Sequence, residues 1–192
     1  MGKSNKNTEL QEIRRLIRNG NYADNPQNLI KLFRKLLNYR LWREIYMTLI
    51  KRAIEGKTIY YSELAHEVNK MMEEEEPLLP EKGSQLASTS AVILDVISHY
   101  EHLCGRPLLS AIVIRKKYNT PGDGFWEMMK ELYREKIENM IEELYDIIKN
   151  IIEEEDEEEI KEEIEEEIKR KLIEEEQRKV FSCWRGKSFT SK

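Results

Sequence analysis

"GRPLLSAIVIRKKYNTPGDGF", residues 105–125, stands apart from a chain otherwise rich in Glu, Lys and Ile at helical spacing. A Gly-Arg-Pro turn leads into the apolar, β-branched run Leu108 to Ile114. That run is too short for a helix between its turn signals, so the pattern predicts a strand. Arg115, Lys116 and Lys117 follow at its end. The glycine-rich turn "NTPGDG" then closes on Phe125 and Trp126. A strand, a cationic root and a tight turn read together as a short β-hairpin with a basic wing, braced at its start by Gly105, Arg106 and Pro107.

The flanks are helical. Upstream, "LASTSAVILDVISHYEHLCG" reads as a helix with Ser88, Thr89 or Ser90 as its cap and Gly105 as its stop. "GKTIYYSELAHEV" predicts a short extended entrance and then a helix, with Ser62 as N-cap and Leu64, Ala65 and Val68 buried. Residues 72–86, with four consecutive glutamates, two prolines and a glycine, read as a flexible acidic connector. Asn25-Pro26 opens a long helix to Gly56. Its apolar set runs from Leu29 and Phe33 to Leu49, and its opposite face carries Lys31, Arg34, Lys35, Arg40, Arg43 and Lys51. "TELQEIRRLIRNG" adds a lead helix within residues 1–25.

Downstream, Phe125 to Val180 contains neither Gly nor Pro. Ile137, Ile141, Leu144, Ile148 and Ile151 form a heptad seam, the spacing of a coiled coil. Ile160, Ile164, Ile168 and Leu172 then step by four, a stripe that drifts about 40° per step and suits packing on another element. The 126–181 region reads as one charged helix, or two with a break near Asp156. Residues 182–192 read as a basic, disordered tail. The expected fold class is therefore α+β and mainly helical. A winged-helix-like core spans residues 26–125, with a long acidic helical extension behind it.

Composition narrows the function classes. Charged residues make up 36% of the 192, well above the ~25% usual for soluble domains, a bias shared by thermophile proteins and helix-rich ones. Residues 1–60 carry 13 Lys/Arg against 5 Asp/Glu, whereas residues 127–192 carry 13 against 22, so a polyanion would meet the front half. No apolar run reaches membrane-span length, and the N-terminus lacks a secretory apolar core, which predicts a cytoplasmic protein without a membrane partner. Cys104 and Cys183 make neither a metal spacing nor a disulfide framework.

Two blocks carry a resemblance. "GKTIYYSELA" (56–65) and "ISHYEHLCGRPLLSAIVIRKKYNTPGDGFW" (97–126) resemble a family of small microbial and viral proteins with the pattern Y-x-E-L-A, then G-R-P-x-L-S-A-x-V, then P-G-x-G-F. Ser62 stands where that pattern has Gly. No activity is attached to the family. In that pattern Glu101, Gly105, Arg106, Pro107, Ser110, Gly122, Gly124 and Phe125 are the motif positions. More distantly, the order of elements is similar to the winged-helix domain of the alkylguanine DNA alkyltransferase-like proteins. That resemblance implies that Tyr61 contacts DNA backbone. Leu109 and Ser110 fall where the alkyltransferases carry Pro and the acceptor Cys, and Ser90 or a neighbour falls where they carry an arginine. Alkyl transfer needs a thiolate, so the resemblance implies binding without that chemistry.

Other chemistries lack their parts. "PLLSAIV" has no small-residue elbow to expose Ser110 as a nucleophile, so a buried structural serine is expected. Glu101 and Arg106 read as an ion pair bracing the turn, with a catalytic carboxylate as the competing reading. His99 and His102 lack a third ligand, so no metal or cofactor is expected. A Mg²⁺ nuclease needs carboxylates on adjacent strands, whereas Asp95 and Asp123 fall in a helix and a loop.

The functional expectation is a non-catalytic protein binding duplex DNA through Arg34, Lys35, Tyr61, Arg115, Lys116 and Lys117. The first alternative is a protein-protein or self-association module acting through the 126–181 helix. The second is a nuclease or hydrolase using Glu101 and Arg106.

Overall fold

The computed structural model describes residues 8–19, 25–72, 79, 84–149 and 157–187. Amphipathic segments give eight α-helices among them. In chain order these are α1 (Thr8–Arg18), α2 (Pro26–Leu36), α3 (Arg40–Glu55), α4 (Tyr61–Met72), α5 (Ser84–Leu103), α6 (Asp123–Leu132), α7 (Arg134–Lys149) and α8 (Glu157–Trp184). Two short strands, β1 (Ile59–Tyr60) and β2 (Val113–Ile114), pair in parallel, with Ile59 opposite Val113 and Tyr60 opposite Ile114. The fold is α+β and mainly helical.

The expected hairpin is replaced by this parallel pair. Parallel strands need a crossover, which α4 and α5 supply. What remains of a hairpin is one antiparallel bridge, Arg115 to Thr120. The expected strand also begins late, because Leu109–Ile112 forms a 3₁₀ turn. Its buried backbone finds side-chain partners instead of a neighbouring strand. Leu108 N–H donates to Glu176 Oε1 at 2.7 Å, Ser110 N–H to Ser98 Oγ at 3.1 Å, and Ala111 C=O accepts from Gln177 Nε2 at 2.9 Å. Buried peptide groups must be paired, and here α5 and α8 pair them from both sides.

The single helix expected from Pro26 to Gly56 is two. Extending the α2 stripe of Leu29, Phe33 and Leu36 brings Arg40 and Arg43 onto the buried face. The apolar set Leu41, Trp42 and Ile45 lies about 160° away at 100° per residue. A break at Leu37–Tyr39 re-phases the chain, so both sets are buried. Asn25 caps α2 by accepting from Gln27 N–H at 2.9 Å. Gly56 ends α3 with φ +68°, and Gly105 ends α5 with φ +67°, both left-handed positions that favour glycine. Helix α4 starts at Tyr61, so Ser62 lies inside its first turn rather than at its cap. Helix α5 starts at Ser84, ahead of the expected cap at Ser88 to Ser90. Most of the expected connector lies outside the described residues. Leu79 within it is buried and pinned by Asn69, which exchanges two hydrogen bonds of 2.8 and 2.9 Å with its backbone.

Helix α8 packs against α3, α7 and the 3₁₀ turn. Its stripe of Ile160, Ile164, Ile168 and Leu172 is buried in the same core as Trp42 and Ile112. It runs on to Trp184, which is buried, so the expected tail begins within the helix. The heptad seam of α7 lies against α8 of the same chain, with Ile137 buried and Ile141, Leu144 and Ile148 partly so. Ile151 and the expected break near Asp156 lie outside the described residues. A break that was not expected, at Tyr133, separates α6 from α7. On α8, Glu167 and Lys171 form an i,i+4 pair at 3.2 Å, whereas Glu165 turns inward to Trp126 Nε1 at 3.2 Å.

Candidate functional site

A cavity of about 750 Å³, open at one side, lies beneath the Arg115–Thr120 turn. Helix α5 contributes Ala91, Val92, Leu94 and Asp95. Tyr60 and Tyr61 come from the β1–α4 junction, and Gly122, Gly124, Phe125 and Met128 from the start of α6. Arg115, Lys116, Lys117 and Tyr118 form the remaining edge. The parallel β1–β2 pairing brings the first motif block beside the second.

The turn is locked from within. Arg115 N–H donates to Thr120 C=O at 2.7 Å, and Asn119 N–H to Arg115 C=O at 2.8 Å. Asn119 takes φ +55°, a left-handed position that asparagine tolerates better than most residues. The Arg115 guanidinium donates to Asp123 Oδ2 at 3.0 Å and lies 4.8 Å from the Tyr118 ring centroid. Lys117 Nζ lies 4.8 Å from the same centroid. Lys116 and Lys117 are exposed, and neither has a carboxylate partner among the described residues. Tyr118 is 55% exposed.

Tyr61 is fixed by the loop before α6, since Gly122 N–H donates to its hydroxyl at 3.3 Å. A Cβ on Gly122 would stand 3.1 Å from that hydroxyl, which explains why glycine suits the position. Burial pushes the Tyr61 phenol above its ordinary range, against the opposing pull of the Gly122 N–H and Arg115. Gly124 faces open space, and Phe125 is buried.

The other motif residues form a separate node. Glu101 is fully buried, and Arg106 donates to it twice, Nε to Oε2 at 2.6 Å and Nη2 to Oε1 at 2.8 Å. Tyr46 adds its hydroxyl at 2.6 Å to Oε1. Arg106 N–H also donates to Glu101 C=O at 2.9 Å across the left-handed Gly105, and Pro107 follows. The bond to Glu101 holds the Arg106 guanidinium above its usual range, while burial and the same carboxylate push up the Tyr46 phenol. Ser110 is buried with its hydroxyl 2.6 Å from Ser98 Oγ.

The structure thus brings Tyr61, Arg115, Lys116, Lys117, Gly122, Gly124, Phe125 and Ser110 to one cavity. Glu101, Gly105, Arg106 and Pro107 do not line it. Arg34 and Lys35 are exposed on α2, which packs on α1 and α5, and neither lines the cavity. Glu176 was missed by sequence reading. It is 2% exposed and holds the 3₁₀ turn. Its signal was a charge at a buried step of the series Ile168, Leu172, Glu176, Val180, Trp184. Among the described residues no group of three or more His, Cys, Asp or Glu could hold a metal, and no helix is long and apolar enough to cross a membrane.

No protein-family model, curated protein or solved structure matches this chain.

Tyr46, Tyr61 and Tyr133 all have phenols raised by burial, Tyr133 with added repulsion from Glu176. Their folded values exceed the unfolded value of ~10, so their contribution to stability is complete below about pH 10 and falls as pH rises beyond it. The unfolded chain then releases protons that the folded chain keeps. Absorbance at 295 nm follows the ionisation of the nine tyrosines. These three should ionise only together with loss of helical circular dichroism. Complete ionisation before any loss of helix would refute it.

Proposed function

We propose that this chain binds duplex nucleic acid along its phosphate backbone without acting on it, the 115–120 turn serving as the wing of a winged-helix-like core. The supporting observation is the exposed, unpaired Lys116–Lys117 pair on a turn whose shape is fixed by the Arg115–Thr120 bridge and by Arg115 with Asp123. A turn of fixed backbone presents both cations to phosphates without a backbone-ordering cost, and Tyr118 offers a neighbouring donor. The order α3, β1, α4, α5, β2, turn supports the winged-helix reading, with α5 as the helix that would approach the groove. Its hydroxyl-rich sequence has no Lys or Arg, which favours backbone contact over base readout. Tyr61 stands where the alkyltransferase-like resemblance puts a backbone-contacting tyrosine. Ser110 in place of the acceptor cysteine removes alkyl transfer.

Fluorescence anisotropy with a labelled duplex tests this reading. Binding is expected to weaken as salt rises, similarly for unrelated sequences. The double substitution Lys116→Ala/Lys117→Ala is expected to lower the steepness of log K against log salt by about 2, one unit for each lost phosphate contact. The substitution Arg34→Ala/Lys35→Ala reports whether α2 belongs to the same surface. No binding at low salt would end the reading.

A further inference from the structure

We propose that the cavity beneath the turn is a binding site for an amphipathic carboxylic acid, whose apolar body fills the cavity and whose carboxylate meets Lys116 and Lys117 at its edge. Its volume of about 750 Å³ falls within the ~300–1,000 Å³ of pockets that enclose small organic ligands.

The body is defined by what the walls can offer. Val92, Leu94, Ile114, Phe125 and Met128 supply hydrocarbon. Three of the polar groups along the walls are already engaged. Ser110 Oγ is paired with Ser98, the Tyr61 hydroxyl accepts from Gly122 N–H, and Asp95 Oδ1 lies 3.5 Å from His99 Nδ1. A sugar, peptide or nucleobase buried here would leave several donors and acceptors unpaired, each costly. A hydrocarbon chain or ring meets no such cost. Val92, 38% exposed, is an apolar side chain held open at the mouth where such a body would cover it.

The head group follows from charge. Arg115 is paired with Asp123, which leaves the ammonium groups of Lys116 and Lys117 without a counter-charge. The first turn of α6, which begins at Asp123 beside the cavity, adds the positive end of its dipole. Around the cavity three cations face two carboxylates, Asp95 and Asp123, so the surplus charge is positive and sits at Lys116 and Lys117, which a neutral ligand would leave unused.

The test uses the full chain and the fluorescent anion 1-anilinonaphthalene-8-sulfonate as reporter. One saturable site is expected. Decanoate and 2-naphthoate are both expected to displace the dye, and their relative strength tells a chain-shaped body from a ring-shaped one. Val92→Trp fills the mouth from an exposed position and is expected to weaken decanoate at least about tenfold with the melting temperature retained. If that variant fails to fold, Ala91→Trp on the same exposed edge replaces it. Lys116→Ala/Lys117→Ala is expected to weaken decanoate about tenfold, the scale of one charge-assisted hydrogen bond, and to leave decanol unaffected. Dye binding that does not saturate at one site, decanoate binding unchanged by Val92→Trp, or decanol binding as tightly as decanoate would overturn the proposal. The inference does not rest on duplex binding. A chain that takes decanoate and ignores duplex supports this site and ends the nucleic-acid reading, whereas one that binds duplex and no acid does the reverse.

Discussion

Glu101→Ala is expected to destabilise the fold by about 3–5 kcal/mol, the range for removing one partner of a buried ion pair. Both carboxylate oxygens are in use: Oε2 takes Arg106 Nε, and Oε1 takes Arg106 Nη2 and the Tyr46 hydroxyl. The alanine variant orphans three donors at once. It also frees the Gly-Arg-Pro turn, whose guanidinium lies 5.9 Å from the ring centroids of both Tyr100 and Trp184 and so joins α5 to α8. Arg106→Lys is expected to cost more than a typical surface change, because an ammonium cannot reproduce the two-pronged contact. Urea unfolding of both variants measures this through the midpoint at constant slope. A carboxylate kept for catalysis gives the opposite result, since strained catalytic groups often stabilise the fold when removed. A loss under 1 kcal/mol for Glu101→Ala would contradict the bracing role.

Helix existence was legible wherever a single apolar stripe kept one phase, as in α1 and α4. It was misread where two stripes ran together across residues 37–39, because spacing of three and four tolerates a phase slip that a rigid helix does not. The ion pair of Glu101 with Arg106 was legible because an arginine just past a glycine stop sits within reach of the last helical turn. The run Leu108 to Ile114 was misread for a different reason. Period alone cannot distinguish a buried strand from a buried 3₁₀ turn, and the deciding partners, Ser98, Glu176 and Gln177, lie 12 to 68 residues away.

The cavity divides along the same line. Its cations and Tyr61 stood out by type and local pattern. Its apolar walls did not, because Val92, Leu94 and Met128 look like ordinary core positions in sequence. Only the parallel pairing of β1 with β2 sets the Tyr60–Tyr61 junction beside the turn, and a two-residue strand carries too little sequence signal to announce it.

Ile168→Ala in α8 is expected to lower the stability of the whole chain by about 2–5 kcal/mol, the range for truncating a fully buried aliphatic side chain. The stripe steps by four, so it winds roughly 240° around the helix between Ile160 and Trp184. That winding lets one helix serve several neighbours. Near its start Glu165 meets Trp126 and Lys130 of α6, and Lys161 Nζ lies 4.7 Å from the Tyr145 ring centroid of α7. Near its end Glu176 and Gln177 hold the backbone of Leu108 and Ala111. Glu176→Ala leaves the Leu108 N–H buried without its partner, a further loss of about 1–3 kcal/mol. If residues 157–184 were an independent appendage, Ile168→Ala would melt α8 alone and leave a second, unshifted unfolding transition for the remainder. A helix that supplies the hydrogen bonds of the central 3₁₀ turn cannot separate in that way. Urea unfolding followed by tryptophan fluorescence, with Trp42 in α3 and Trp184 in α8 as reporters at opposite ends of the chain, is therefore expected to show one transition, displaced as a whole.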